Sequence, residues 1–167
     1  MTDSHSRIPP LLDARVLQME PLTQWWHHED VVCVALRSVS RMPVVTVAGA
    51  FDARAWPVCR RALEAALRSR PRCVLVDLAA VTSVDDHGAG LLEAMRRAAL
   101  WHGSRFWLAA VPDELQAQLD LTGLSCEFPI SRNATRAIEE IRRTRLESVP
   151  RRQSPPDHVA KRAFIEE

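Results

Sequence analysis

The feature that most constrains the fold is a short apolar run in the middle of the chain, Cys73-Val74-Leu75-Val76-Asp77-Leu78. A strand that is apolar at nearly every position has to be buried on both faces, which is typical of the centre of a sheet with parallel neighbours. Helices must then cover that sheet. The 167 residues are enough for one such domain, whose core needs neither disulfides nor metals.

Apolar runs and helical patterns alternate on both sides of this central strand. The β-branched runs 31–36 and 44–48 predict a hairpin, residues 106–111 predict another strand, and residues 126–130 predict a short edge strand because of Pro129. Helical spacing predicts helices over 53–70, from Gly90 to Gly103, from Pro112 to Gly123 and over 131–146, with Ala79 to Val84 as a linker. We therefore expect an α/β fold, a mixed sheet with helices packed on it, in the order β-β-α-β-α-β-α-β-α.

Both ends of the chain lie outside this pattern. Residues 1–30 contain three prolines that interrupt any period, so we expect a loosely structured N-terminal extension, from which Trp25 and Trp26 could pack on the domain. Residues 148–167 combine three prolines with mixed charge and predict a disordered C-terminal tail. The domain itself is predicted over 31–147.

Composition and motifs exclude several functions. The formal net charge of +1 gives no field that would attract nucleic acid or anionic lipid, and the strong preference for arginine over lysine is typical of a GC-rich genome. An apolar run long enough for membrane insertion and a secretory signal are both absent, which predicts a cytoplasmic protein. Phosphate-binding, nucleophile-elbow and metal-protease motifs are absent too, so we expect no cofactor and no metal.

The cysteines point the same way. Their spacings contain no C-x-x-C pair, so we expect neither a metal site nor a redox motif, but four mostly buried thiols in a reducing compartment: Cys33, Cys59, Cys73 and Cys126.

The densest polar cluster is Asp85-Asp86-His87, at the predicted start of the second helix. Acids at this position accept hydrogen bonds from the free backbone N–H groups of a helix, so capping alone explains them. A partner-binding surface built on the cap is the alternative, and acid–base catalysis is a third. The same alternatives apply to Asp52 and Asp77. Each carboxylate either bonds nearby backbone or belongs to a functional site at the carboxyl ends of the strands.

Three stretches occur in the order and at the spacings of a known family. They are Gly49-x-x-Asp52, then Val74-Leu75-Val76-Asp77-Leu78-x-x-Val81-Thr82-x-Val84-Asp85-x-x-Gly88-x-Gly90-Leu91-Leu92, and finally Leu121-Thr122-Gly123-Leu124. Over about residues 31–146 the chain resembles the STAS domain of bacterial anti-sigma factor antagonists.

The resemblance implies a regulatory binding protein rather than an enzyme. Members of this family bind an anti-sigma factor that is also a serine kinase, and this frees the sigma factor. The kinase then phosphorylates a Ser or Thr at the start of the second helix, and a phosphatase reverses the modification. The partner-binding positions implied here are Asp52, Asp85, Asp86, His87, Gly88 and Ala89.

This chain departs from the family at the phospho-acceptor. The family sequence is close to Asp-Ser-Ser-Gly, whereas this chain has Asp85-Asp86-His87-Gly88, so that Asp86 stands at the acceptor position. Either Asp86 permanently mimics the phosphorylated state, or the partner is adapted to an acid. STAS domains are also adaptor subunits of transport complexes such as lipid-transporter ATPases, which is the alternative function. A homodimer is a further possibility.

Overall fold

The computed structural model describes residues 24–29 and 31–147, with side chains as far as Arg145. In this part of the chain six strands form one sheet, and their order in space follows their order in sequence. They are β1 (Gln24–His28), β2 (Val32–Val39), β3 (Met42–Phe51), β4 (Cys73–Val84), β5 (Arg105–Ala109) and β6 (Ile130–Ser131). The first three are antiparallel neighbours, and β3 to β6 are parallel.

Helices cover both faces of this sheet. One face packs against α1 (Trp56–Leu67), α2 (Gly88–Trp101) and α3 (Asp113–Leu121), and the other packs against α4 (Ala134–Glu147). The first four residues of β4 are buried, which confirms the central strand predicted from its composition. The mixed α/β sheet is also confirmed, and the predicted order lacks only the first strand.

That first strand corrects the prediction of a loosely structured lead-in for the residues that form it. β1 pairs with β2 so that Trp25 lies opposite Ala35, and Trp26 packs on the main core. The sequence of β1 alternates poorly because an edge strand is held by backbone bonds on one side only. Residues 1–23 and the predicted tail 148–167 lie outside the described residues.

Two further boundaries differ from the prediction. Ala79 to Val84 is not a linker but the second half of β4, paired with the end of β3. None of these residues is buried and the register shifts twice along the pair, so the segment lacks apolar alternation. The predicted strand at 126–130 is instead a 3-10 turn (Ser125–Glu127) followed by β6, which reduces the edge strand to two residues. Pro129 still contributes, because its carbonyl accepts the Leu108 N–H at 3.0 Å.

The end of β3 depends on a glycine with left-handed backbone. Gly49 has φ 93°, and a Cβ built there would lie 2.1 Å from the Val31 carbonyl oxygen. That carbonyl accepts the Ala50 N–H at 2.9 Å, so the loop before β2 closes directly on β3. Both the backbone angle and the close approach require glycine.

We expect Gly49→Ala to lower the free energy of unfolding by about 2–4 kcal/mol, because the new Cβ adds a backbone penalty and forces Val31 away. Gly90→Ala is the matched control. Its Cβ would meet nothing within 4 Å, and alanine favours a helix, so its stability should be unchanged or rise by up to about 1 kcal/mol. Urea denaturation measures both variants, and equal effects would contradict this account.

The cysteines divide into two classes. Cys33, Cys59 and Cys73 are buried and free, as expected of mostly buried thiols, whereas Cys126 is exposed. Cys126 is exposed because the predicted strand there is a surface turn. Burial raises the pKa of Cys33 to about 11 and the pKa values of Cys59 and Cys73 to about 12.

We expect a thiol reagent at pH 8 to label one cysteine in the folded protein, because Cys126 is exposed and the other three thiols are buried, with their pKa values raised by burial. Unfolding in guanidinium should release the other three. Cys126→Ser is the control, and rapid labelling that persists in this variant would contradict the assignment.

Candidate functional site

The candidate site lies at the edge of the sheet where β3 and β4 end. The two strands are parallel and end together, with Phe51 opposite Val84 in the register. Asp52 therefore follows one strand beside the turn of residues 85–87 that follows the other. The Asp85 N–H donates to the Phe51 carbonyl at 3.4 Å, which ties the two ends to each other. This is the place where α/β sheets carry their sites.

The Asp52 carboxylate makes its hydrogen bonds within its own loop. It caps the 3-10 turn Ala53–Ala55 by accepting the Arg54 N–H at 2.8 Å, and it also pairs with the Arg54 guanidinium. The hydrogen bonds from the Arg54 side chain hold the pKa of Asp52 below its usual value. The hydrogen bond with Asp52 in turn raises the pKa of Arg54, and the charge of Asp85 contributes less. The sequence pattern of an acid two residues before an arginine could have revealed this pair.

Asp85 is likewise turned inward, toward the turn that precedes α2. One carboxylate oxygen accepts the His87 N–H at 2.9 Å, and the other lies 3.0 Å from Nδ1 of the His87 ring. The Asp85 carbonyl accepts the Gly88 N–H at 3.2 Å. This is an Asx turn, in which a short acidic side chain bonds the backbone two residues on. The Asp85 carboxylate therefore closes the turn before α2 and does not cap the helix, because it bonds the N–H of the N-cap residue His87 and no N–H within the helix.

Gln118 of α3 fixes this turn from outside. Its side-chain amide donates to the Asp85 carbonyl at 2.7 Å and accepts the Ala89 N–H at 3.1 Å. Gly88 allows α3 to come this close, because a Cβ there would lie 2.7 Å from Val84 Cγ1 and 3.0 Å from Leu115 Cδ1. The sequence gives no local signal for Gln118, since it lies about thirty residues away and looks like an ordinary position of a short polar helix.

Asp86 differs from its neighbours. It is exposed, and in the described part of the chain its carboxylate has no hydrogen-bond or ion-pair partner. His87 is also exposed, to 70% of its side chain, whereas Gly88 and Ala89 are buried beneath the turn. The turn thus presents one free carboxylate and one imidazole. Of the six predicted partner-binding residues, Asp52 and Asp85 shape the loops, Gly88 and Ala89 allow close packing, and Asp86 and His87 reach solvent.

Two exposed positions extend this surface. Gly90, in the first turn of α2, leaves open space where a side chain would be. Leu121 lies one helical turn after Gln118 and is 88% exposed, which is unusual for a large apolar side chain. A free carboxylate, an imidazole, a bare helix turn and an exposed leucine form the candidate surface: Asp86, His87, Gly90 and Leu121.

Asp77 lies outside this surface. It stands seven residues before the end of β4, opposite Thr46, and not at the end of its strand as predicted. Its carboxylate accepts the Ala79 N–H at 3.1 Å, and burial raises its pKa. Arg37 is buried on β2, on the far side of β3 from Asp77. It acts on Asp77 electrostatically and donates to Thr46 of β3 at 3.3 Å. Asp77 therefore belongs to a structural cluster in the sheet.

We expect Gln118→Ala to lower the free energy of unfolding by about 1–3 kcal/mol, because the Asp85 carbonyl and the Ala89 N–H both lose a partner in a half-buried place. Gln116→Ala is the matched control on the same helix. Gln116 bonds only Asp120 on the surface, so its loss should cost less than about 0.5 kcal/mol. Chemical denaturation checks the pair, and a Gln118 variant as stable as the control would refute the bridging role.

Among the described residues, no helix is long and apolar enough to cross a membrane. Nor does any group of three or more His, Cys, Asp or Glu side chains in residues 24–29 and 31–147 come together as a metal-ion cluster.

Solved structures share this fold. An anti-sigma factor antagonist from Mycobacterium paratuberculosis is 24% identical, with a TM-score of 0.60, and the match covers 70% of this chain and 99% of that chain. A serine-to-glutamate variant of RsbS from Moorella thermoacetica is 18% identical, with a TM-score of 0.59, covering 68% and 97%. The unphosphorylated form of the anti-sigma factor antagonist SpoIIAA is 19% identical, with a TM-score of 0.55, covering 65% and 96%.

At these identities the structural likeness shows the fold. Among curated proteins, none matches the chain. The family comparison is more specific, because the family model described as "Mlab, STAS domain" matches residues 34–126, more than half of the chain. With its sheet, its helices and this match, the chain belongs to the STAS domain family.

Proposed function

We propose that this protein is an anti-sigma factor antagonist of the cytoplasm, a binding protein rather than an enzyme. It binds an anti-sigma factor of the serine-kinase type through the candidate surface at the start of α2. The observation that carries the proposal is the free carboxylate of Asp86, exposed at the position where the family resemblance places the phosphate acceptor.

Solved structures of the same fold support a regulatory role for a negative charge. SpoIIAA occurs in an unphosphorylated and a phosphorylated form, and both are similar to this chain. The RsbS variant carries glutamate in place of a serine. A carboxylate in this chain is a fixed charge that no phosphatase can remove.

The hydrogen bonds at the start of α2 do not involve the Asp86 carboxylate, so that it is free to contact a partner. The N–H groups of Gly88 and Ala89 at the start of α2 already donate to Asp85 and Gln118. Asp86 is therefore not drawn onto the helix terminus, and its carboxylate faces solvent. A partner that contacts it must supply a cation or a hydrogen-bond donor, since an unpaired buried charge would be costly.

We propose that the partner accepts this acid. A carboxylate carries one negative charge, whereas a phosphoserine carries up to about two and offers three acceptor oxygens, so Asp86 is an incomplete mimic of the phosphorylated state. The protein then binds without phosphatase treatment, and the kinase adds no phosphate at position 86. In this proposal Leu121, exposed at the end of α3 three residues after Gln118, supplies apolar contact area to the partner.

The test measures the affinity of the purified protein for the anti-sigma factors of its host. We expect wild type to bind as purified, and Asp86→Ser and Asp86→Ala to bind equally or more weakly, because both lose the charge that the partner receives. Leu121→Asp should weaken binding by about tenfold or more, since it removes the exposed apolar contact. Glu139→Ala, an exposed acid on α4 on the other face, controls for net charge.

Two results would overturn the proposal. If both neutral variants at position 86 bind more than about tenfold tighter, a difference of roughly 1.4 kcal/mol, the acid is a built-in off state. If no anti-sigma factor binds and the protein instead binds a transporter ATPase, the adaptor function replaces this one. Incubation with ATP and the kinase adds a further check, because Asp86→Ser should gain a phosphate that wild type does not.

A further inference from the structure

A cavity of about 730 Å³ opens at the opposite edge of the sheet from the candidate surface. It is bordered by the first residues of three strands, Met42, Cys73 and Arg105, and by the end of α4. The twelve residues of β4 separate this edge from Asp85, a distance of roughly 35 Å along an extended strand. A volume of this size is typical of sites for small molecules.

Five arginines surround the cavity, and no acidic residue is among the described residues that line it. All five are exposed, and within the described chain none of them forms an ion pair, although seven ion pairs occur elsewhere. Positive charges that line one concave surface create a positive potential there, which attracts an anion. The five are Arg41, Arg70, Arg72, Arg105 and Arg145.

The backbone holds two of these arginines at an energetic cost. Arg41 has φ 65° and Arg70 has φ 48°, both in the left-handed region that favours glycine or asparagine. A side chain there costs about 1–2 kcal/mol relative to ordinary backbone. Arg41 lies in the two-residue turn of the β2–β3 hairpin and Arg70 just past the end of α1, where the turn and the helix end call for left-handed backbone. Arginine stands at both positions in place of the favoured glycine or asparagine.

The other residues of the cavity are apolar or carry hydroxyls. Trp107 and Ile141 face it together with Met42, and Ser38 and Ser69 lie at its rim. Guanidinium groups bind phosphate through paired N–H donors, and an indole ring offers a flat surface to an apolar body. The cavity therefore combines an anion-binding wall with an apolar floor.

We propose that this arginine-lined cavity is a binding site for a phosphate monoester that carries a compact apolar group. The phosphate lies against Arg72 and Arg105, and the apolar group lies on Trp107. The inference is independent of the proposed function, because no residue is shared between the two surfaces.

Calorimetric titration with phenyl phosphate at low salt tests it in the full-length protein. Wild type should bind one equivalent, and inorganic phosphate should bind about tenfold or more weakly because it lacks the ring. Arg72→Ser and Arg105→Ser should each lower the affinity for phenyl phosphate about tenfold. Arg61→Ser makes an equal change of charge on the exposed side of α1 and should change the affinity for phenyl phosphate less than about twofold.

A second pair of variants separates binding from folding. Arg70→Gly should lose affinity for phenyl phosphate without a lower Tm, because glycine adopts its backbone freely. Ala110→Gly is the control. Ala110 has a similar left-handed backbone, φ 54°, at the other end of β5, so this variant relieves the same strain and should leave the affinity for phenyl phosphate unchanged. If Arg70→Gly, Arg72→Ser and Arg105→Ser all bind phenyl phosphate as wild type does, the arginine wall is not a site.

Vesicles containing phosphatidic acid identify the source of the phosphate ester. Sedimentation of wild type, but not of Arg72→Ser, with these vesicles assigns a lipid headgroup, whereas binding of phenyl phosphate alone assigns a free ester. The proposal fails if neither probe binds, if the Arg72 and Arg105 variants bind both probes as wild type does, or if inorganic phosphate binds as tightly as phenyl phosphate.

Discussion

The parallel pairing of β3 with β4 is the constraint on which the rest of the structure depends. It brings Asp52 beside the turn of Asp85 at one edge and places Met42 beside Cys73 at the other. On the other side of β3, Gly49 allows the Val31 carbonyl of the loop before β2 to approach the strand closely. One pair of strands therefore positions two separate surfaces that differ in charge, an acidic turn and an arginine-lined cavity.

Acidic side chains that look equivalent in sequence have different roles in this structure. Asp52 and Asp85 each accept a backbone N–H two residues on, and these bonds shape the loops that follow their strands. Asp77 does the same inside β4. Asp86 makes no such bond in the described chain. Whether an acid accepts a backbone N–H depends on the course of the backbone after it, which the residue type alone does not reveal.

The sequence predicted those elements whose side chains alternate or repeat in a clear pattern. The first half of β4 was predicted because Val74 to Val76 are all apolar, whereas its second half was missed because none of the residues from Ala79 to Val84 is buried. β1 was missed because an edge strand needs little apolar surface. Gln118 and the arginine cavity could not be predicted, since their residues meet only in the folded chain. Single arginines at 41 and 145 look like composition until the fold brings them together.

The local structure leaves position 86 independent of folding. The turn before α2 is closed by Asp85 and Gln118, and the close contact with α3 depends on Gly88. None of these interactions requires a hydroxyl or a carboxylate at the next exposed position. A serine can therefore be exchanged for an acid there with little effect on stability, since surface substitutions away from caps and packing usually cost less than about 0.5 kcal/mol. Any change in partner affinity caused by a substitution of Asp86 then reports on the interface and not on the fold.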